Sequence, residues 1–189
     1  AMALRGWNSR GLEVQPLARP KFLNLFGYTG VSSLFALRAG ADVTHVDASK
    51  AVLKWAKENQ SASGMDELPM RIIEDDAIKF LQREIKRGNK YDAIIMDPPK
   101  FGRGPKGEIW KIEEMLPQLL ELTKKALSDD PLFVILTSYA IEASSLTLGY
   151  ALTEVMGDGV ESGELCVIEK SKGRLIPLAN TAIWTSVNN

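Results

Sequence analysis

The segment Asp97-Pro98-Pro99-Lys100-Phe101 has the strongest chemical character in the chain. It follows an apolar run, Tyr91 to Met96, that reads as a strand. Two adjacent prolines hold φ fixed and offer no N–H, so the strand's ladder ends there and the turn is stiff. A carboxylate on a stiff turn suits a reaction in which an acceptor must be held close to the group it receives. Asp97, Pro98, Pro99 and Lys100 are therefore the candidate catalytic residues, with Asp97 able to orient the acceptor or its proton; the plain alternative is a structural Asp-Pro-Pro turn. The next stretch, Lys100 to Gly107 with Lys111 beyond, combines four basic residues, one aromatic and three glycines. That mixture can hold phosphates and stack a base, or it can be a solvated surface loop. Lys100, Phe101, Arg103 and Lys106 are the candidate substrate contacts.

Three more strand ends carry small or acidic residues. Asn24-Leu25-Phe26-Gly27-Tyr28-Thr29-Gly30 follows the first apolar run, and its glycines permit a tight turn and close approach to a ligand. The spacing is Gly-x-x-Gly, unlike the Gly-x-Gly-x-x-Gly of dinucleotide sites, and a bare strand–helix turn would look the same. Asp47 lies 20 positions beyond Gly27 and is followed by Ala48 and Ser49. A carboxylate there can accept both hydroxyls of a ribose, or cap the helix that begins near Ser49. Asp76-Ala77 can offer an acceptor and a backbone N–H to an adenine, or Asp76 can cap the following helix, or both. Asp75 beside it reads as solvated.

These four ends need a frame that gathers them. Short apolar runs alternate with amphipathic stretches, which argues for βα units and a parallel sheet. Strands are predicted at Phe22–Phe26, Val43–Val46, Met70–Ile73, Tyr91–Met96 and Leu132–Thr137. Helices are predicted at Val31–Ala39, Lys50–Ala62, Ala77–Arg87, Ile112–Leu127 and Ser144–Met156. Val52, Leu53, Trp55 and Ala56 would form the buried face of the second helix, and Pro117 would kink the fourth or mark a late start. Glu164–Glu169 and Leu175–Ser186 read as a closing hairpin. The expected fold class is α/β: a doubly wound, seven-stranded, mostly parallel sheet with helices on both faces and a C-terminal antiparallel hairpin. Residues 1–20 read as an arm and residues 21–189 as the domain. In such sheets ligands sit beyond the C-terminal ends of the strands, where strand order reverses.

Bulk properties narrow the function. With 23 basic and 24 acidic residues the chain lacks the basic excess of a dedicated nucleic-acid module. The single cysteine, Cys166, excludes an internal disulfide framework or a cysteine-based zinc site, and reads as a small buried hydrophobe. No metal constellation is visible, and His45, the sole histidine, reads as a packed or surface strand residue. No apolar run approaches the roughly 18 residues of a membrane helix, and no signal-peptide core opens the chain. A cytoplasmic setting is the expectation, with no membrane partner. No pattern specifies an oligomeric state.

Together, Asn24-Leu25-Phe26-Gly27-Tyr28-Thr29-Gly30 and Asp97-Pro98-Pro99-Lys100-Phe101 resemble the Rossmann-fold (class I) S-adenosylmethionine-dependent methyltransferases of the large-subunit ribosomal-RNA type. The resemblance covers roughly residues 21 to 186, and the closing hairpin is that group's variant of the doubly wound fold. It implies that Phe26 to Gly30 contact the methionine end of the cofactor, Asp47 the ribose, Asp76 and Ala77 the adenine, and Asp97 and Pro98 the reacting centre. S-adenosylmethionine carries no diphosphate, so the sparser glycine turn suits its methionine part. The implied substrate is a nucleobase of ribosomal RNA. Members that methylate cytosine C5 use a cysteine after the fourth or fifth strand, whereas here the fifth ends Thr137-Ser138-Tyr139 and Cys166 comes late. A nitrogen on guanine or another base is therefore the expected acceptor. Adenine N6 enzymes place an aromatic directly after Pro-Pro, where this chain has Lys100 before Phe101. Such enzymes also commonly carry an N-terminal RNA-binding domain, so this chain is either a fragment or relies on its Arg5 to Arg19 arm. The competing readings are an inert cofactor- or RNA-binding domain of the same fold, a methyltransferase for a small molecule or protein, and a nicotinamide oxidoreductase. The missing third glycine and the closing hairpin speak against the last.

Overall fold

Apolar residues fall on both faces of the first two long strands, so those strands have to lie inside a layered sheet. In the computed structural model, which describes residues 19–139 and 143–186 together with the backbone of two short strands before them, they do. The short pair is β1 (Gly6–Trp7) and β2 (Glu13–Val14), joined antiparallel. The rest of the predicted arm up to residue 18 lies outside the described residues. The main sheet contains β3 (Lys21–Leu25), β4 (Asp42–Asp47), β5 (Met70–Glu74), β6 (Ala93–Met96), β9 (Phe133–Ser138), β10 (Val160–Ile168) and β11 (Leu175–Thr185). Its order is β10-β11-β9-β6-β3-β4-β5, with the first five strands in sequence parallel and β10–β11 antiparallel. The strand order reverses between β3 and β6, which defines the switch point.

Helices α3 (Ala77–Lys86), α4 (Ile112–Ala126) and α5 (Ser145–Met156) cover one face. Leu23, Leu25, Phe80, Ile94, Leu119 and Leu136 meet there in the larger core cluster. Helices α1 (Val31–Arg38) and α2 (Lys50–Ala62) cover the other face only above β3, β4 and β5, with Phe22, Leu37 and Val43 in a second cluster. Beyond α1 that face is open, and Phe22, Phe35, Ile95, Phe133 and Ile135 line an apolar groove. The expected cover on both faces is thus only partial among the described residues.

Four further expectations are corrected or narrowed. The predicted polar loop after Pro99 is a hairpin, β7 (Phe101–Arg103) with β8 (Ile109–Lys111), in which Gly102 opposes Trp110. Its turn closes through Gly104 N–H on the Glu108 carbonyl and Gly107 N–H on the Gly104 carbonyl, and the surrounding charges had hidden the two-residue alternation. Trp55 is 54% exposed rather than buried, because the inward stripe of α2 runs through Leu53, Ala56 and Gln60. Asp75 is ion-paired with Arg83 two turns along α3, and its other oxygen accepts the Asp76 N–H. Helix α4 begins at Ile112 with Pro117 inside it, so the late start is set aside.

Glu84 is the one carboxylate among the described residues with no exposed surface. Burial alone would raise its pKa, but the Tyr91 hydroxyl, the Asn89 amide and the Arg71 and Arg87 guanidiniums all donate to it and hold it down at about 2. This network ties α3 to the start of β6, at the N-terminal ends of the strands and so at the opposite end of the sheet from the switch-point recesses. A depressed folded-state pKa contributes stability above the unfolded value near 4.3, and that stability is lost as pH falls toward 2. We expect Glu84→Gln to lose about 2 kcal/mol at pH 7 and much less near pH 2. Urea melts at both pH values check this, and a pH-independent loss would remove the network's electrostatic role.

Candidate active site

The loop after β3 is shaped by a side chain beneath it. His45, on β4, has no exposed surface. Its Nε2 faces the Tyr28 carbonyl at 3.2 Å and its Nδ1 faces Ser33 Oγ at 2.9 Å. A carbonyl only accepts, so Nε2 carries the proton and Nδ1 accepts from Ser33, which in turn accepts from the Asn24 amide at 3.0 Å. Burial pushes the His45 pKa down, opposed by the Tyr28 carbonyl and the charge of Asp47, so the ring is neutral. A Cβ on Gly27 would lie 2.3 Å from His45 Cε1, which leaves glycine as the residue that fits above the ring. Gly30 is required for another reason: its φ is +90°, and a Cβ there would meet Ala56 of α2 at 3.2 Å.

The rest of the loop is pinned atom by atom. Gly27 N–H donates to the Val46 carbonyl, and the Thr29 carbonyl accepts from Asn59 of α2 at 2.9 Å. Phe26 and Tyr28 adopt left-handed backbone, with φ of 56° and 49°, at about 1–3 kcal/mol each for a residue with a Cβ. Asp47 accepts the Tyr28 N–H on one carboxylate oxygen at 2.9 Å and the Ser49 N–H on the other at 2.8 Å. Both oxygens are thereby oriented and each retains lone-pair capacity for a ligand hydroxyl. The helix-cap alternative for Asp47 is not what the structure uses, since its bond stops at Ser49 ahead of α2.

Two recesses open beside this loop at the switch point, sharing Phe26, Tyr28 and Asp97. The first, of about 520 Å³, is lined by Asp47, Ala48, Ser49, Pro99, Arg103 and Trp110 among others. The second, of about 450 Å³, takes in Asn24, Gly27, Thr29, Gly30 and Thr137. Such volumes lie within the range of small-ligand sites. Asp97 lines both recesses and stays open to solvent at their mouth, and partial desolvation by the surrounding walls pushes its carboxyl above the usual carboxylate range. Pro98 is buried behind it.

Of the predicted site residues, the structure gathers the glycine loop, Asp47 to Ser49, Asp97, Pro99 and Arg103 around these recesses. Asn24 also supports the loop from below through Ser33. Asp76 and Ala77 are buried at the neighbouring tip outside the two linings, and Asp76 caps α3 by accepting the Lys79 N–H at 2.9 Å. Lys100, Phe101 and Lys106 stand outside the linings, with Phe101 54% exposed. Sequence reading missed Trp110 and Tyr139, which line the first recess. A tryptophan in an alternating run after a Gly-Pro-Lys-Gly turn was the available signal for Trp110. Cys166 lies on the outermost strand, β10, and is only half-buried there, not the fully buried residue expected, because that strand has a neighbour on one side only. Among the described residues no group of His, Cys, Asp or Glu is placed to hold a metal, and no helix is long and apolar enough to cross a membrane.

A seven-stranded sheet of this order, closed by an antiparallel hairpin and with its loops converging at the switch point, is the class I methyltransferase fold. The chain belongs to the family described as Conserved hypothetical protein 95, which matches residues 8–143. It is similar to a ribosomal RNA large subunit methyltransferase K of Neisseria meningitidis, 34% identical over 125 residues that make up 65% of this chain and 35% of that protein. A ribosomal RNA large subunit methyltransferase I of Aeromonas salmonicida is 39% identical over 82 residues, 43% of this chain and 21% of that protein. Among solved structures, a SAM-dependent methyltransferase of Agrobacterium tumefaciens is 46% identical with a TM-score of 0.86, over 90% of this chain and 57% of that one. The chain thus spans about a third of the Neisseria protein's length; the fold expected from its motifs is the one found, and large-subunit ribosomal RNA methyltransferases are among the proteins it resembles.

Because both His45 nitrogens are engaged, the ring has no inexpensive way to move aside. We expect Gly27→Ala to destabilise the protein by about 2 kcal/mol through overpacking. Denaturant melts measure it, and a variant as stable as the parent would mean that the ring can vacate its position.

Proposed function

We propose that the chain is an S-adenosylmethionine-dependent methyltransferase acting on a nucleobase nitrogen of ribosomal RNA. The observation that carries this reading is the convergence of the glycine loop, the doubly anchored Asp47 and the Asp97-Pro98-Pro99 turn on adjoining recesses at the switch point. The residues suit the cofactor. Gly27 lets the loop lie against His45 and Gly30 lets it turn beside Ala56, which leaves Phe26 to Gly30 lining the recess proposed for its methionine end. Asp47 presents acceptors for the ribose, and Asp76 and Ala77 flank the place for the adenine. When bound, the cofactor supplies a methyl group on a sulfonium, activated for in-line displacement.

The protein's own part is to bind, orient and manage a proton. Pro98 and Pro99 have no N–H, so between Asp97 and Lys100 the turn presents carbonyls and the Asp97 carboxylate but no backbone donor. A base nitrogen bearing hydrogens fits that surface, with Asp97 orienting the N–H and receiving its proton. Desolvation keeps the Asp97 carboxyl more basic than usual, which favours that role. Arg103 on the recess wall, with Lys100 and Lys106 nearby on the hairpin, supplies cations for RNA phosphates, and Phe101 a face for stacking. A ribosomal substrate places the work in the cytoplasm.

The test is calorimetry with S-adenosylhomocysteine, followed by nucleoside mass spectrometry of bulk ribosomal RNA treated with protein and labelled cofactor. We expect binding and a labelled methylated base. Binding without transfer would favour the inert reading, and preference for NAD would overturn both. Asp97→Asn should lower transfer by about 100-fold or more. Its stability at pH 7 should match or exceed the parent's, since a raised folded-state pKa means the ionised group opposes folding there. The acid limb of the parent's pH–rate profile should lie above the ordinary carboxylate value and vanish in the variant.

A further inference from the structure

Trp110 sits in the middle strand position of the β7–β8 hairpin and is 3% exposed. Its indole N–H donates to the Pro99 carbonyl at 2.6 Å. Its ring lies against Phe26, with centroids 4.8 Å apart and planes at 56°. The same side chain therefore touches the turn that carries Asp97 and the loop that carries Gly27. A second bond from the hairpin's end, Ile112 N–H to the Lys100 carbonyl at 3.1 Å, grips the next residue of the turn. At its far tip, Glu108 receives Lys79 of α3 at 2.5 Å, three residues after Asp76. Prolines cannot anchor their turn by donating, so its position depends on what donates to its carbonyls. Phe26 is held in left-handed backbone, so its ring needs a packing partner to keep that geometry populated.

We propose that Trp110 is a positioning residue that locks the Asp97-Pro98-Pro99 turn and the Phe26–Gly30 loop in one register, with the β7–β8 hairpin as its clasp. This rests on the reading above, that the turn serves the acceptor and the loop the cofactor. In-line transfer is sensitive to small errors in that register. Trp110→Phe keeps a ring against Phe26 while removing the indole donor and part of the buried ring volume.

Hydrogen exchange followed by mass spectrometry tests the lock without needing a substrate. In Trp110→Phe, amides of residues 26–30 and 100–103 should both exchange about tenfold faster, while β4 and β5 stay unchanged. Coupling is mutual, so Phe26→Leu should also accelerate residues 100–103, and this second variant decides the matter if the first does not fold. Acceleration of the hairpin alone, of neither segment, or of the whole protein would overturn the proposal. With bulk ribosomal RNA, kcat of Trp110→Phe should fall about tenfold while KM for S-adenosylmethionine moves less than threefold; equal changes in both would make Trp110 a cofactor wall instead. A parent protein without cofactor binding or turnover would defeat the methyltransferase reading, and the exchange pattern would still decide the lock.

Discussion

The imidazole of His45 under Gly27 is the contact on which the rest of the site depends. It joins two adjacent parallel strands, β3 and β4, exactly where ligands gather in this fold, and it does so with a neutral ring whose two nitrogens have opposite duties. One accepts from Ser33 at the start of α1, and the other donates to the carbonyl of Tyr28. The loop is thereby tied from below, from α2 through Asn59, and from its own flank through Asp47. A loop held this way is organised before any ligand arrives, so binding need not meet the entropy of ordering it.

Much of this arrangement was readable in the residues. Helix α2 runs from Lys50 to Ala62 as its apolar spacing indicates, and the strands end at Asp47 and just before Asp97 because charge and proline stop their patterns. The closing hairpin follows from two β-rich runs with no helical segment between them. What could not be read depends on contacts between distant segments. His45 looks like any strand residue until Gly27 is laid over it. Trp110 means nothing at position 110 until the hairpin folds back on Pro99 and Phe26. Trp55 was misjudged because an aromatic residue weighs heavily in an apolar pattern, yet it points away from the stripe formed by Leu53 and Ala56. Asp75, just ahead of α3, looks solvated by itself, whereas its partner Arg83 reaches back to it from two turns along the helix.

The Asp97 turn follows a different logic from the glycine loop. The glycine loop is held by its own hydrogen bonds, while the Asp97 turn, poor in donors, borrows its anchorage from the hairpin that follows it. Stiffness in the turn comes from proline geometry and placement comes from Trp110 and Ile112. The same hairpin carries Arg103, Lys106 and the exposed Phe101, so one small element both braces the Asp97 turn and presents charge and an aromatic face beside the recesses.

The fit of Gly27 over His45 also constrains how this chain can diverge. Neither position can drift alone: a side chain at 27 demands a smaller residue at 45, and a smaller residue at 45 strands Ser33 and the Tyr28 carbonyl without a partner. Change at this strand pair must therefore arrive as a compensated set, with positions 27, 33 and 45 varying together across descendants or not at all.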